Sequence, residues 1–167
     1  HVLQQEDETL EHLTLLRNHV VARLKGSDAH LTFDQAVADF PSEAINVRPS
    51  SVPYSLWHLV EHIRIAQWDI LEFAKGPHES PPWPTNYWPA PDADATMEQW
   101  LASVEAVQAG IREAQLMAAD ERIELLAPLP HAPQFSVLRE LLLLADHNSY
   151  HVGELAILRQ TLNLWPA

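Results

Sequence analysis

Apolar residues recur at steps of three and four along four long segments of this 167-residue chain. That spacing places them on one side of an α-helix, which completes a turn about every 3.6 residues. We predict the four helices at about 5–25, 55–75, 96–119 and 136–162, the last three counted from their capping residues. No internal repeat is visible, and the alternating patterns typical of strands are nearly absent. The sequence therefore predicts an all-α fold, a four-helix bundle.

The ends of these helices are marked by capping and helix-breaking residues. Ser55, Thr96 and Ser136 are the predicted N-caps, because a side-chain oxygen at that position accepts a hydrogen bond from the first turn. Gly76 and the proline after it end the second long helix. We also predict an extra short helix at 32–40, which ends before a proline.

The segment 76–95 contains six prolines, together with Trp83, Tyr87 and Trp88. Prolines at this density exclude a helix or a central strand. Three large aromatic residues are unusual in a solvated linker, so we expect this proline-rich crossover loop to pack over the bundle or its mouth. The connection 122–133 also contains several prolines and is predicted to be irregular.

Length, charge and cysteine content narrow the class of protein. The length suits a single domain, 1–167, with its own core. A formal net charge of −13 argues against nucleic acid and against an anionic membrane surface as partners. Without cysteine the chain has no disulfide, thiolate ligand or cysteine nucleophile, which fits a cytoplasmic protein. No apolar run approaches the ~20 residues needed to span a bilayer.

Two histidines in the last predicted helix are candidate metal ligands. His147 and His151 are four residues apart, so they lie on one face, one turn apart. His62 lies beside the apolar stripe of the second long helix. Three neutral imidazoles would leave a zinc ion one open position, as in catalytic sites. The alternative is a surface His147 and a hydrogen-bonded His151 at the edge of the core, since a chain with ten histidines contains such pairs by chance.

Other polar residues are placed to assist or to complete such a site. His58 precedes His62 by one turn and is either a fourth ligand or, as we favour, a surface or supporting residue. Glu154 follows His151 by three residues, where a carboxylate orients a ligand imidazole, relays protons or acts as a general base. A solvated glutamate is the alternative. Asn148 is a candidate hydrogen-bond donor near the mouth of the site.

The motif SLWHLVEHI at 55–63, followed by HxxxHVGE at 147–154, resembles the DinB/YfiT-like superfamily. The order of the helices and the length agree too, so the resemblance covers essentially the whole chain. It implies a four-helix bundle, often a homodimer, with a divalent metal on three histidines. Zinc and nickel are the common metals, and the ligand positions correspond to His62, His147 and His151.

The resemblance implies two kinds of chemistry. Some relatives are thiol-dependent S-transferases that use a low-molecular-weight thiol as cofactor, and others are described as metal-dependent hydrolases. We therefore expect a metal-dependent enzyme acting on a small-molecule substrate, with S-transfer ahead of hydrolysis. Glu154 is the candidate catalytic residue for hydrolysis. The alternatives are a non-catalytic protein that binds a metal or a small ligand, and a helical interaction protein whose histidines are incidental.

Overall fold

The computed structural model describes residues 2–167, with side chains from residue 8 onward. It confirms the all-α fold, with four long helices and one short helix. These are α1 (Val2–Lys25), α2 (Phe33–Val37), α3 (Leu56–Lys75), α4 (Met97–Ala119) and α5 (Val137–Thr161). Single 3₁₀ turns occur at Ser42–Ala44 and Thr85–Tyr87.

The long helices pack around two clusters of buried apolar residues, one containing Leu59 and Val107 and the other Leu71 and Leu144. α3 packs against α4 and α5, and α1 packs against the same two helices. The centre of α3 is fully enclosed, with no exposed surface on Leu59, Val60 or Ile63. Burying each such side chain stabilises the fold by roughly 1.5–3 kcal/mol. None of the helices in the described part of the chain has the length and apolar character required to cross a membrane.

The three predicted N-caps are confirmed. The side-chain oxygens of Ser55, Thr96 and Ser136 each accept a hydrogen bond from the backbone N–H three residues later. At Ser55 the reciprocal contact is made by the ring of His58, which completes a capping box. This capping box fixes where α3 begins, and it also fixes the orientation of His58.

The predicted end of the short helix at residue 40 is wrong, because α2 ends at Val37. Ala38 is already extended, and Asp39 has a positive φ of 50°. The carbonyl groups of Ala36 and Asp39 accept hydrogen bonds from the guanidinium of Arg159 on α5. A tertiary contact therefore takes the carbonyl groups that a continuing helix would use.

The connection 122–133 is not wholly irregular, since part of it forms a small antiparallel hairpin. The strands are β1 (Pro128–Leu129) and β2 (Ala132–Ser136). Pro128 occupies the first position of its strand, where a missing N–H is tolerated. Leu129 and Ala132, one from each strand, are buried against the core. Apolar burial of two residues thus outweighs the low strand propensity of the prolines.

The proline-rich crossover loop, residues 76–95, follows α3 in the sequence and is also held against it by side-chain hydrogen bonds. Both carboxylate oxygens of Asp69 bind loop residues, one 2.9 Å from Nε2 of His78 and the other 2.6 Å from the hydroxyl of Tyr87. Tyr87 is buried and Trp88 is half-buried, as expected for a loop that packs on the bundle, whereas Trp83 is 73% exposed. This attachment brings the Tyr87 carbonyl and the Trp88 ring to one end of the α3–α5 interface.

Candidate metal centre

His62 of α3 meets His147 and His151 of α5 in one cluster. Nε2 of His62 lies 3.1 Å from Nε2 of His151 and 3.2 Å from Nε2 of His147. One ring nitrogen of each histidine lies within 4.8 Å of those of the other two. His62 and His151 are buried and His147 is half-buried. The three residues selected in the sequence are therefore brought together by the packing of α3 on α5.

His62 and His151 each make a hydrogen bond through the ring nitrogen that faces away from the cluster, and these bonds determine their tautomers. Nδ1 of His62 lies 2.8 Å from the carbonyl oxygen of Tyr87, which can only accept. Nδ1 of His151 lies 2.8 Å from Oε2 of Glu154, and Oε1 of that carboxylate accepts a hydrogen bond from the hydroxyl of Tyr54. Both Nδ1 atoms must therefore carry the proton. Both Nε2 atoms are left as acceptors that face each other.

Two acceptors 3.1 Å apart cannot satisfy each other. Their lone pairs repel unless a cation lies between them. A tetrahedral zinc ion with Zn–N bonds of about 2.0–2.1 Å has its ligand nitrogens roughly 3.3–3.4 Å apart. The observed distances of 3.1 and 3.2 Å are close to that spacing. The residues present thus fit a divalent metal ion in both donor chemistry and distance.

The environment favours uncharged imidazoles, the form that binds a metal. Burial lowers the pKa of His62, and the neighbouring His151 acts in the same direction. Burial, with His151 and His62 nearby, lowers the pKa of His147 to about 4. Desolvation penalises a charged ring, and clustered imidazolium ions would repel one another. Near neutral pH, His62 and His147 therefore offer lone pairs and no positive charge.

Both carboxylate oxygens of Glu154 accept hydrogen bonds. One oxygen accepts from His151 and the other from Tyr54. Burial alone would raise the pKa of Glu154, but these two hydrogen bonds lower it overall, so the carboxylate is ionised. Burial of Tyr54 and its hydrogen bond to Glu154 raise the pKa of Tyr54. The geometry places Glu154 behind a ring of the cluster, as a residue that orients His151.

A comparison with known protein families identifies the family of this chain. The family model of the DinB superfamily matches residues 28–155, well over half of the chain. The chain belongs to the DinB superfamily. No curated protein and no solved structure matches it.

In this DinB-superfamily chain, two expectations for residues near the cluster are corrected. For His58 the surface alternative is wrong, since only 1% of the residue is exposed, and the supporting alternative remains. Its Nδ1 binds the hydroxyl of Ser55 and its Nε2 donates to the carbonyl of Ala90 at 2.8 Å, so neither nitrogen is free to act as a fourth ligand. Asn148 is not at the mouth of the site but is buried between α3 and α5, 2.8 Å from Gln67.

Aromatic rings cover the cluster on the loop side. The indole of Trp88 stacks on His62 with ring centroids 3.9 Å apart and planes 3° from parallel. Tyr54 in turn stacks on Trp88 at 4.8 Å. Sequence reasoning missed the contacts of Tyr54 and of the Tyr87 carbonyl. The position of Tyr54 next to the Ser55 cap was an available indication that its side chain lies near the start of α3, whereas a backbone carbonyl leaves no trace in the sequence.

A groove of about 700 Å³ adjoins this stack of rings. Four prolines line it, with Tyr54, His58, Thr85, Trp88 and Ala90. None of these described lining residues is an acid, a lysine or an arginine, although the chain as a whole carries a charge of −13. Its volume lies within the ~300–1,000 Å³ range of small-molecule sites. The DinB domain therefore offers an apolar, aromatic groove beside its histidine cluster.

Proposed function

We propose that this protein is a metal-dependent enzyme for a small-molecule substrate, with one zinc or nickel ion held by His62, His147 and His151. The facing acceptor nitrogens of His62 and His151, 3.1 Å apart, carry this proposal. Imidazole ligands suit both metals. A divalent ion bound by three imidazoles keeps at least one position open and lowers the pKa of a water or thiol there.

The surrounding residues hold the ligand rings and limit the access of water. The Tyr87 carbonyl and the Glu154 carboxylate fix the rings of His62 and His151 from behind. Such outer hydrogen bonds set the tautomer and raise the basicity of the ligand nitrogen. Trp88 covers one face of His62 and excludes water from it. His147 is the most exposed of the three rings, so a substrate or thiol would reach the cluster from the side of His147 or from the groove.

Thiol-dependent S-transfer is the reaction class that we favour over hydrolysis. Hydrolysis needs a general base that can reach the attacking water. Glu154 is the carboxylate that contacts the cluster among the described residues, and both of its oxygens are bound to Tyr54 and His151. In S-transfer the sulfur of a small thiol forms a bond to the substrate carbon. The leaving group departs with its electron pair, and the thiol proton is released to solvent.

The groove beside Trp88 is the proposed site for the apolar part of the substrate. Its lining of prolines, Tyr54 and Trp88 favours an uncharged, aromatic or aliphatic group over an anion. The thiol has to come from a bound small molecule, because the chain contains no cysteine. The homodimer expected from the family resemblance, and the cytoplasmic location, stay predictions.

The test of the reaction class is a titration of the zinc-loaded protein with small thiols, followed by a dinitrophenyl halide as electrophile. We expect heat of thiol binding and release of halide at a rate above that of the free thiol. The matched control is the His151→Ala variant treated in the same way, which should give neither. Zinc-loaded protein that binds no thiol and forms no product would instead support the non-catalytic metal-binding protein.

Glu154→Gln is expected to weaken zinc binding roughly 10- to 100-fold, the usual effect of losing a hydrogen-bond partner of a ligand histidine. The amide keeps the shape of the side chain but removes the charge that stabilises the Nδ1–H of His151. Competition with a chromophoric chelator measures the affinity. Glu105→Gln, on the exposed side of α4, is the matched control and should bind zinc like the wild type. Equal affinities for the two variants would rule out the orienting role of Glu154.

A further inference from the structure

Two buried side-chain atoms in the described part of the chain have no hydrogen-bond partner, namely Nδ1 of His147 and Oδ1 of Asn148. They belong to consecutive residues of α5 and have complementary chemistry, since an imidazole Nδ1–H is a donor and an amide oxygen is an acceptor. Buried polar atoms without partners are rare and call for an explanation. His147 is also the one ring of the cluster that lacks an orienting partner, whereas His62 and His151 each have one.

The orientation of the Asn148 amide is determined from its other side. The backbone carbonyl of Val107 on α4 can only accept, so the Gln67 group 2.9 Å from it must be the amide nitrogen. Oε1 of Gln67 then faces Asn148 and must receive Nδ2–H, at 2.8 Å. The carbonyl of Val107 thus forces Oδ1 of Asn148 to be the atom left free as an acceptor.

Close packing holds this chain of amides in place. Gln67 is 2% exposed and Asn148 is 6% exposed, so bulk solvent does not compete for either amide. Gly110 of α4 leaves the space that Gln67 occupies. A Cβ atom at position 110 would overlap the amide nitrogen of Gln67 and lie 2.8 Å from its Cδ. The approach of α3 to α4 at this glycine therefore determines where the Gln67 amide lies.

We propose that Asn148 is the positioning residue for His147, accepting its Nδ1–H either directly after a small side-chain shift or through one water molecule. A polar relay from the Val107 carbonyl through Gln67 and Asn148 then selects the tautomer of His147 that presents Nε2 to the cluster. This inference rests on the proposed metal site. It gives each of the three rings a hydrogen-bond acceptor behind it, supplied by the loop for His62, by Glu154 for His151 and by the α4 relay for His147.

The electrostatics agree with this assignment. Burial and the neighbouring rings lower the pKa of His147, but the side chain of Asn148 acts in the opposite direction, as an acceptor for a ring proton does. The amide is neutral, so it fixes the tautomer without adding a negative charge behind the ring. His147 thereby differs from His151, whose partner is a carboxylate.

The test compares the wild type with variants in two measurements, the ring tautomers of the metal-free protein and the affinity for zinc. Nitrogen-15 NMR of the histidine rings reports which nitrogen carries the proton. We expect the Nδ1–H form for His147 in the wild type and a mixture in Asn148→Leu and Gln67→Leu. Zinc affinity in both variants should fall roughly 10- to 100-fold, as for other partners of ligand histidines.

A control variant separates this role from a general loss of stability. Ser103→Ala removes another buried polar side chain, which binds Trp57 and Glu61 outside the relay. It should lower the melting temperature but leave the tautomer and the zinc affinity unchanged. An Asn148→Leu protein that is folded, keeps the Nδ1–H form of His147 and binds zinc like the wild type would overturn the relay. If the wild type binds no metal, the proposed function fails, while the tautomer comparison still decides the relay.

Discussion

Replacing His62 by alanine is expected to reduce the metal content of the purified protein from about one zinc or nickel ion per chain to background. The variant retains His147 and His151 on α5, but two imidazoles from one helix cannot complete a three-nitrogen site. His62 is the ligand that comes from α3, and it lies 3.1–3.2 Å from both partners. Its loss therefore removes the only ligand that α3 contributes to the proposed site. Metal analysis after dialysis measures the effect.

His58→Ala is the matched control for this experiment. It removes the same type of side chain from the same helix, one turn earlier and equally buried. The two nitrogens of His58 bind Ser55 and the Ala90 carbonyl, so the variant should retain its metal ion. Addition of zinc at ~100 times its dissociation constant should stabilise the wild type and His58→Ala by about 2.7 kcal/mol, and His62→Ala not at all. Loss of the ion from His58→Ala, with retention in His62→Ala, would contradict the ligand assignment.

Arg159→Leu is expected to lower the free energy of unfolding by about 3 kcal/mol or more, the largest effect on stability that we predict outside the apolar core. Arg159 has no exposed surface. Its guanidinium donates to the carbonyl groups of Ala36, Asp39 and Leu164 at 3.0–3.2 Å. Leucine fills much of the volume but leaves three carbonyl groups without this donor. Urea denaturation followed by circular dichroism measures the change.

Two aromatic rings add to this contact, since the guanidinium lies 5.0 Å from the ring centre of Phe40 and 4.0 Å from that of Trp165. Arg159 thereby ties α5 to the end of α2, to the residues after it and to the C-terminal segment. Arg122→Leu is the control, because the side chain of Arg122 is 89% exposed and pairs with Asp120 at the surface. Exposed ion pairs contribute about 0–1 kcal/mol. If the two variants were equally stable, the buried guanidinium would not be what holds these segments together.

The four long helices and their caps could be predicted from the sequence because both depend on local information. Helical spacing of apolar residues and an oxygen at the N-cap act within a few residues of each other. The end of α2 could not be predicted in this way, because Arg159 lies about 120 positions further along the chain. The hairpin at 128–136 was missed for a related reason, since burial of Leu129 and Ala132 overrides the prolines around them.

The candidate site shows the same division between local and distant information. The spacing of His147 and His151 predicts a shared face, whereas the approach of His62 depends on how α3 packs on α5. The surface alternative for His58 was wrong, although the sequence contained an indication of its role. Ser55 precedes it by three residues, the spacing of a capping box, and a side chain in that arrangement turns back to the start of the helix.

X-ray absorption spectroscopy of the wild-type protein, purified with zinc or nickel and analysed for metal content, tests the metal site most directly. We predict about one ion per chain with at least three imidazole nitrogens in its first shell, at about 2.0–2.1 Å for zinc. A protein that takes up neither metal, or one whose bound ion has a first shell made only of oxygen atoms, would contradict the assignment of His62, His147 and His151 as ligands.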